Sequence, residues 1–268
     1  MRSKFHTHLY EVERPNLFQI FKPHNRRYCL FPKDNAVTSS LINGTIYEPY
    51  LFYFIRDNSI DLKGTDIIDI GANNGNFTIE FSELIGDKGR VFSFEPQRII
   101  FQQLCGNVFM NGIDNVFAYN LAIGEDNGKT QIDRPDYFSN DFVNFGDVSI
   151  ESNESKNSEP VEVRKLDSFE FGVVKLIKID VQGYEVSVIK GAIETINKHR
   201  PIIFIEVEDH QLRKFGYSEN DLLNLIRSLG YTIERFQKGI PYQTYSGECL
   251  DCVCIPNEIL QDQSFVIR

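Results

Sequence analysis

The segment Asp66-Ile67-Ile68-Asp69-Ile70-Gly71-Ala72-Asn73-Asn74-Gly75-Asn76-Phe77 constrains the fold more than any other stretch of the chain. An apolar run ends in a Gly-Ala-Asn-Asn-Gly turn, and behind it Phe77, Ile79, Phe81, Leu84 and Ile85 recur at roughly helical spacing. Strand, glycine turn and helix is how a parallel α/β sheet presents backbone N–H groups to a ligand at a helix N-terminus. Gly71 lets the chain leave the strand at an angle a side chain would obstruct, and Gly75 allows close approach near the helix start. The glycines stand at G-x-x-x-G spacing, which is not the three-glycine dinucleotide fingerprint. Taken alone, the turn is equally what any α/β protein places between a strand and a helix.

The alternation continues beyond it. Strands are predicted over Ile67–Ile70, Arg90–Phe94, Val116–Asn120, Val174–Ile179 and Pro201–Val207, with shorter ones around 129–132 and 161–163. Helices are predicted over Asn76–Ile85, Gln97–Met110, Glu185–His199 and Ser218–Leu229, the last with Ser218 as N-cap and Gly230 as stop. Tyr231–Phe236 and Leu250–Ile255 read as a closing antiparallel pair. This order predicts an α/β fold with a doubly wound, mostly parallel sheet whose ligand binds at the carboxyl ends of the strands. Residues 1–62 lack the rhythm and read as an N-terminal extension packing on a 63–268 domain, with a helix starting at Pro49. The Asp-, Asn-, Ser- and Glu-rich stretch 133–160 reads as a surface insertion.

The formal net charge of −10 argues against nucleic acid as the main partner. Five cysteines, an odd count in 268 residues, do not resemble a secreted disulfide framework. Cys249, Cys252 and Cys254 lack a second pair at ligand spacing, so they read as thiols on a C-terminal strand rather than a zinc site. The N-terminus has no signal-peptide core, and no run of about 18 apolar residues occurs. The expectation is a soluble, cytoplasmic protein without a membrane span.

Polar residues collect at the predicted strand ends. Glu95, 20 residues after Gly75 and followed by Pro96, can accept bonds from both hydroxyls of a ribose, or act as an acid ahead of the next helix. At Asn120, Leu121 and Ala122 a base could stack or be hydrogen-bonded. Strand four ends in Lys178-Ile179-Asp180-Val181-Gln182-Gly183-Tyr184-Glu185, and strand five in Glu206-Val207-Glu208-Asp209-His210.

Together D-I-G-A-N-N-G, F-E-P, N-L-A-I-G, L-D-S-F, K-I-D-V-Q-G-Y-E and R-P-I-I-F-I-E-V resemble the FkbM family of S-adenosylmethionine-dependent methyltransferases, from about Thr65 to Val207. The resemblance implies a Rossmann-like class I methyltransferase fold and O-methylation of a sugar or polyketide hydroxyl, with S-adenosylhomocysteine as product. It implies that the turn from Asp69 through Gly71, Ala72 and Asn73 to Gly75, with Phe77 behind it, holds the methionine part of the cofactor. Glu95 and Pro96 would hold the ribose, and Asn120, Leu121 and Ala122 the adenine. Tyr47 and Glu48, in a segment that often folds back over the cofactor in such enzymes, would contact its amino or carboxylate end; packing of Tyr47 on the sheet is the competing reading. The family usually has an acid where this chain has Gln182.

Methyl transfer from a sulfonium needs positioning and a proton acceptor for the hydroxyl. Asp180 is the expected base and a cofactor neighbour, with Lys178, Glu206 and His210 as second choices. The alternative for Lys178, Asp180 and Glu206 is a satisfied polar cluster. A divalent cation on Asp180 and Glu206 is disfavoured because the ligand set is thin, so no metal is assigned. The expected acceptor is a small molecule or glycan, and Tyr137, Phe138, Phe142 and Phe145 suit stacking on a sugar ring as well as core packing. An NAD-linked oxidoreductase and a non-catalytic cofactor-binding or scaffold protein remain as rival readings.

Overall fold

Five- and six-residue runs that are apolar on both faces become the inner strands of one sheet, since only a strand covered on both sides can bury every residue. The computed structural model describes residues 19–21, 26–31, 37–42, 48–137, 150–151, 157–235 and 251–260. In chain order, β1 (Gln19–Phe21) and β2 (Tyr28–Leu30) form an antiparallel ribbon, followed by α1 (Val37–Ile42) and α2 (Tyr50–Asp57). Then come β3 (Asp66–Ile70), α3 (Asn76–Ile85), β4 (Arg90–Phe94), α4 (Arg98–Met110) and β5 (Val116–Tyr119). A second, four-stranded sheet holds β6 (Ala122–Ile123), β7 (Gly128–Asp133), β8 (Ile150–Glu151) and β9 (Ser158–Arg164). The main sheet resumes with β10 (Val174–Ile179), α5 (Glu185–Lys190), α6 (Ile193–His199), β11 (Ile202–Glu206), α7 (Asp209–Lys214), α8 (Glu219–Ser228), β12 (Tyr231–Arg235), β13 (Asp251–Pro256) and α9 (Asn257–Leu260).

The seven strands lie in the order β12-β13-β11-β10-β3-β4-β5. All neighbours are parallel except those of β13, which runs antiparallel to β11 and β12. This is the doubly wound α/β arrangement with the C-terminal antiparallel pair expected from the sequence. The chain leaves β3 toward β4 and β5 and returns on the other side as β10, so the switch point lies between β3 and β10, where such sheets bind ligands. Among the described residues no helix is long and apolar enough to cross a membrane.

β3 is buried at all five positions. Ile68 and Ile70 pack on one face with Phe94, Ile177, Ile179, Ile203 and Ile205. Ile67 faces the other way, among Phe77, Phe81, Leu176, Phe204 and Val253, where Leu51, Phe54 and Ile55 of α2 complete the layer. At the strand starts, the Arg90 guanidinium donates to both oxygens of Asp66, 3.0 and 2.6 Å away, and the Gly172 N–H donates to Asp66 Oδ2 at 2.6 Å.

Two local expectations change. The helix expected over Glu185–His199 breaks into α5 and α6. Gly191 lies against the backbone of Gly124, where a Cβ would come within 1.9 Å of the carbonyl oxygen. The Asp167 carboxylate then caps the new start, accepting from the N–H groups of Glu194 (3.0 Å) and Thr195 (2.8 Å). The short strands expected near 129–132 and 161–163 are the longer β7 and β9, paired antiparallel with Asp133 opposite Ser158 and with β8 on the other edge of β7, so the polar stretch begins where that pair ends. Within it, 138–149 and 152–156 lie outside the described residues. Ser218 caps α8 as expected, in a reciprocal capping box with Asp221.

Ile68 is fully buried at the centre of the sheet. Ile68→Ala should cost about 2–5 kcal/mol of stability, measured as a lower midpoint in urea denaturation with a similar slope.

Candidate active site

The turn after β3 is shaped by two close approaches. Gly71 has φ +79°, and a Cβ there would sit 1.8 Å from the backbone oxygen of Asp180. The end of β3 therefore presses directly on the end of β10, and only glycine fits. Gly75, at φ +88°, faces Leu104 of α4, whose Cδ1 a Cβ would meet at 2.7 Å. The backbone N–H groups expected to face a ligand are largely engaged within the protein. Those of Gly71 and Ala72 donate to the Phe94 carbonyl (2.9 and 3.0 Å), and that of Asn73 to Glu95 Oε2 (2.8 Å). Those of Asn74 and Asn76 donate to the side-chain oxygens of Asn73 (2.7 Å) and Asn74 (3.2 Å). Asparagines thus cap their own turn, as Asx side chains commonly do.

Glu95 is thereby fixed from two sides, since its Oε1 accepts the Gln97 N–H at 2.8 Å. It is 3% exposed. Burial pushes its pKa up to about 7, the two backbone hydrogen bonds pull against this, and the charges of Asp180 and Asp69 add to the rise. Asp69 lies below the floor with no exposure. Its Oδ2 accepts the Thr78 hydroxyl at 2.6 Å, and its Oδ1 has no partner among the described residues. Burial raises its pKa, and the charge of Lys178, its register partner on β10, works the other way.

Lys178 is the one Lys or Arg lining the cleft, among the described residues. Its ammonium donates to Asp180 Oδ2 at 3.0 Å and lies 4.7 Å from the centre of the Phe77 ring. Burial alone would lower its pKa, but the charges of Asp180 and Asp69 outweigh this and raise it. Across the crevice, the Gln182 amide donates to Asp180 Oδ1 (3.2 Å) and to Glu206 Oε2 (2.8 Å). Burial, then Asp180, Asp251, Glu185 and Glu48, push the Glu206 pKa well above the carboxylate range. Asp251 on β13 stands opposite Glu206 and accepts the Tyr50 hydroxyl; burial raises it to about 7.

Glu95, Lys178, Asp180, Gln182 and Glu206 are among the residues lining a cleft of about 280 Å³ at the switch point. A sequence profile described as the methyltransferase FkbM domain matches residues 69–233, more than half of the chain. The chain belongs to the FkbM methyltransferase family. Its similarity to the 2-O-methyltransferase NoeI of Sinorhizobium fredii (strain NBRC 101917 / NGR234) is 30% identity over 190 residues, 65% of this chain and 75% of that protein. Among solved structures, the methyltransferase FkbM from Methylobacillus flagellatus KT aligns at 19% identity and TM-score 0.49, covering 82% of this chain and 55% of that one. An S-adenosylmethionine-dependent O-methyltransferase from Thermotoga maritima aligns at 13% identity and TM-score 0.49, covering 89% and 77%.

In this FkbM methyltransferase the cleft is lined by Glu48, Gly71, Ala72, Asn73 and Phe77 on the side of β3, and by Glu95, Pro96, Leu121 and Ala122 on the side of β4 and β5. Lys178, Asp180, Glu206 and His210 line it from β10 and beyond β11. Three expected residues stand behind this surface. Asp69 is under the floor, Gly75 is packed on α4, and Asn120 donates to the carbonyls of Glu95 (2.9 Å) and Pro96 (3.0 Å), holding that loop in place. Tyr47 lies outside the described residues, as do Phe138, Phe142 and Phe145. Tyr137 is buried, donates to Gln97 Oε1 at 3.0 Å and stacks on Phe31, so it is packed rather than presented to a ligand. His210 is exposed, with Nδ1 2.8 Å from Glu208 Oε1. Sequence reading missed Asn76, Tyr184 and Gln211 as lining residues. Gln211 sits in a six-residue helix after β11, where no sequence spacing marks it.

Glu95 bears on stability through its proton. Its pKa is raised on folding, so its stabilisation is complete below the ordinary value near 4.5 and is lost as pH rises through about 7. Glu95→Gln carries no such loss. The unfolding free energy of the variant relative to the unsubstituted chain should therefore increase between about pH 4.5 and pH 7, measured by urea denaturation across that range.

Proposed function

We propose that this methyltransferase uses S-adenosylmethionine to methylate a hydroxyl of a sugar or glycan, releasing S-adenosylhomocysteine. The observation that carries the reading is the Asp180 carboxylate at the switch point, held by Lys178 and opening on a cleft whose other wall is Glu95. The donor set suits the cofactor. Glu48, Glu95, Asp180 and Glu206 face a cleft that holds one ammonium, that of Lys178, among the described residues, an environment that favours a ligand bearing a sulfonium and an amino group. The fixed Glu95 carboxylate retains acceptor capacity for a ribose diol. Bound there, the cofactor would supply an electrophilic methyl carbon. Asp180 would accept the hydroxyl proton as the acceptor oxygen bonds to that carbon, and Lys178 would keep the carboxylate oriented.

Similarity to a 2-O-methyltransferase supports a hydroxyl acceptor. The acidic lining supports an uncharged acceptor over a phosphorylated one, since a diphosphate would meet carboxylates without a basic clamp among the described residues. In the same reading, residues 1–62 cap the 63–268 domain and share with the 133–160 stretch the recognition of the acceptor. Glu48 and Val37, which line the cleft, support the first part.

S-adenosylhomocysteine should raise the melting temperature and NAD should not. Stabilisation by NAD alone would favour the oxidoreductase reading. Asp180→Asn should lower turnover by about 10²–10⁴-fold while S-adenosylhomocysteine still binds in calorimetry. Full turnover of that variant would remove Asp180 as the base. In a screen with labelled cofactor, neutral glycans should accept methyl and nucleotide sugars should not.

A further inference from the structure

Gln182 stands in the left-handed region, at φ +54°, a conformation that a non-glycine residue keeps only when its surroundings hold it there. The next residue, Gly183, has φ +101°, and a Cβ on it would come within 2.4 Å of the Gln211 backbone oxygen. The loop after β10 is thus clamped against α7, and this clamp projects the Gln182 side chain into the cleft between two acids. Its amide nitrogen has two N–H donors, and they meet Asp180 Oδ1 at 3.2 Å and Glu206 Oε2 at 2.8 Å. Its amide oxygen accepts from Gln211 Nε2 at 3.2 Å, which fixes the amide so that its donors face the carboxylates. Lys178 holds the other oxygen of Asp180.

We propose that Gln182 is a positioning residue, whose amide bridges the Asp180 and Glu206 carboxylates and so aims Asp180 at the acceptor hydroxyl. The inference rests on the reading of Asp180 as the base. The charge of Asp180 helps push the Glu206 pKa well above the carboxylate range, and a fixed pair of N–H donors between the two side chains holds both in place without adding a charge. A carboxylate at position 182 would instead place three acids together and remove both donors. Other charges reach the same place from every side: Lys178 on β10, Asp69 on β3, Glu95 after β4, Glu185 on α5 and Asp251 on β13 all act on or with Asp180. Glu48 acts on Lys178 and Glu206, and His210 is taken up by Glu208. Gln182 is the neutral member of this group that touches both acids.

The test is steady-state methyl transfer by the full chain to an acceptor that the unsubstituted chain methylates, with S-adenosylhomocysteine binding read by calorimetry. Gln182→Ala should lower kcat by about tenfold or more with the acceptor KM little changed, because a base that is no longer aimed is lost in the reaction and not in acceptor binding. Gln182→Glu should lower kcat likewise and serves if the first variant does not fold. S-adenosylhomocysteine should still bind both variants, so that the loss of turnover is not loss of the cofactor. An unchanged kcat with cofactor binding intact would overturn the role of Gln182 alone. Failure of the unsubstituted chain to bind S-adenosylhomocysteine would overturn the functional reading, and the aiming role with it.

Discussion

The Lys178 ammonium, buried at the end of β10, sits between Asp180 just past the end of its own strand and Asp69 directly across on β3. Removing an ion from water costs several kcal/mol unless partners replace the lost hydration. Here each partner offsets part of the desolvation of the others, and the face of Phe77 covers the ammonium on one side. The pairing therefore couples the central strand alignment to the site, since sliding β10 by one residue along β3 would separate Lys178 from Asp69. The close approach of Gly71 to the Asp180 carbonyl depends on the same alignment.

The rest of the cleft is built outward from that point by acids that cannot all be charged. Glu95, Glu206 and Asp251 are each raised by burial and then by the charge of Asp180, and each is held by donors: backbone N–H groups for Glu95, the Gln182 amide for Glu206, the Tyr50 hydroxyl for Asp251. A site of this kind stores a preference for positive charge that a cationic ligand can satisfy. It also ties distant segments together. Tyr50 of α2 reaches β13, and α2 supplies Leu51, Phe54 and Ile55 to the core face under β3. The first described helices are thus part of the framework around the site.

Much of the fold was legible because the decisive signals are local. The β3 turn, the boundaries of α3, β4 and β10, and the capping box of α8 follow from apolar periodicity, glycine placement and capping residues within a dozen positions. What failed locally failed for long-range reasons. The break between α5 and α6 depends on Gly124 and Asp167, both far away in the chain. The β7–β9 pair is longer than its apolar residues suggest, because backbone pairing continues through polar positions.

The sequence by itself determined the family, the order of strands and helices, and the set of polar residues at the strand ends, because those depend on residue type and spacing. Only the tertiary structure decided which of these residues face the cleft. Asn120 and Asp69 have the right chemistry and the right place in the chain, yet the first secures a loop and the second lies beneath the floor. Gln182, which looked like a lost acid, became a bridge between two carboxylates once β11 and α7 were set beside it. Side-chain direction and hydrogen-bond partners across strands are set by packing of segments that are remote in sequence, and no periodicity encodes them.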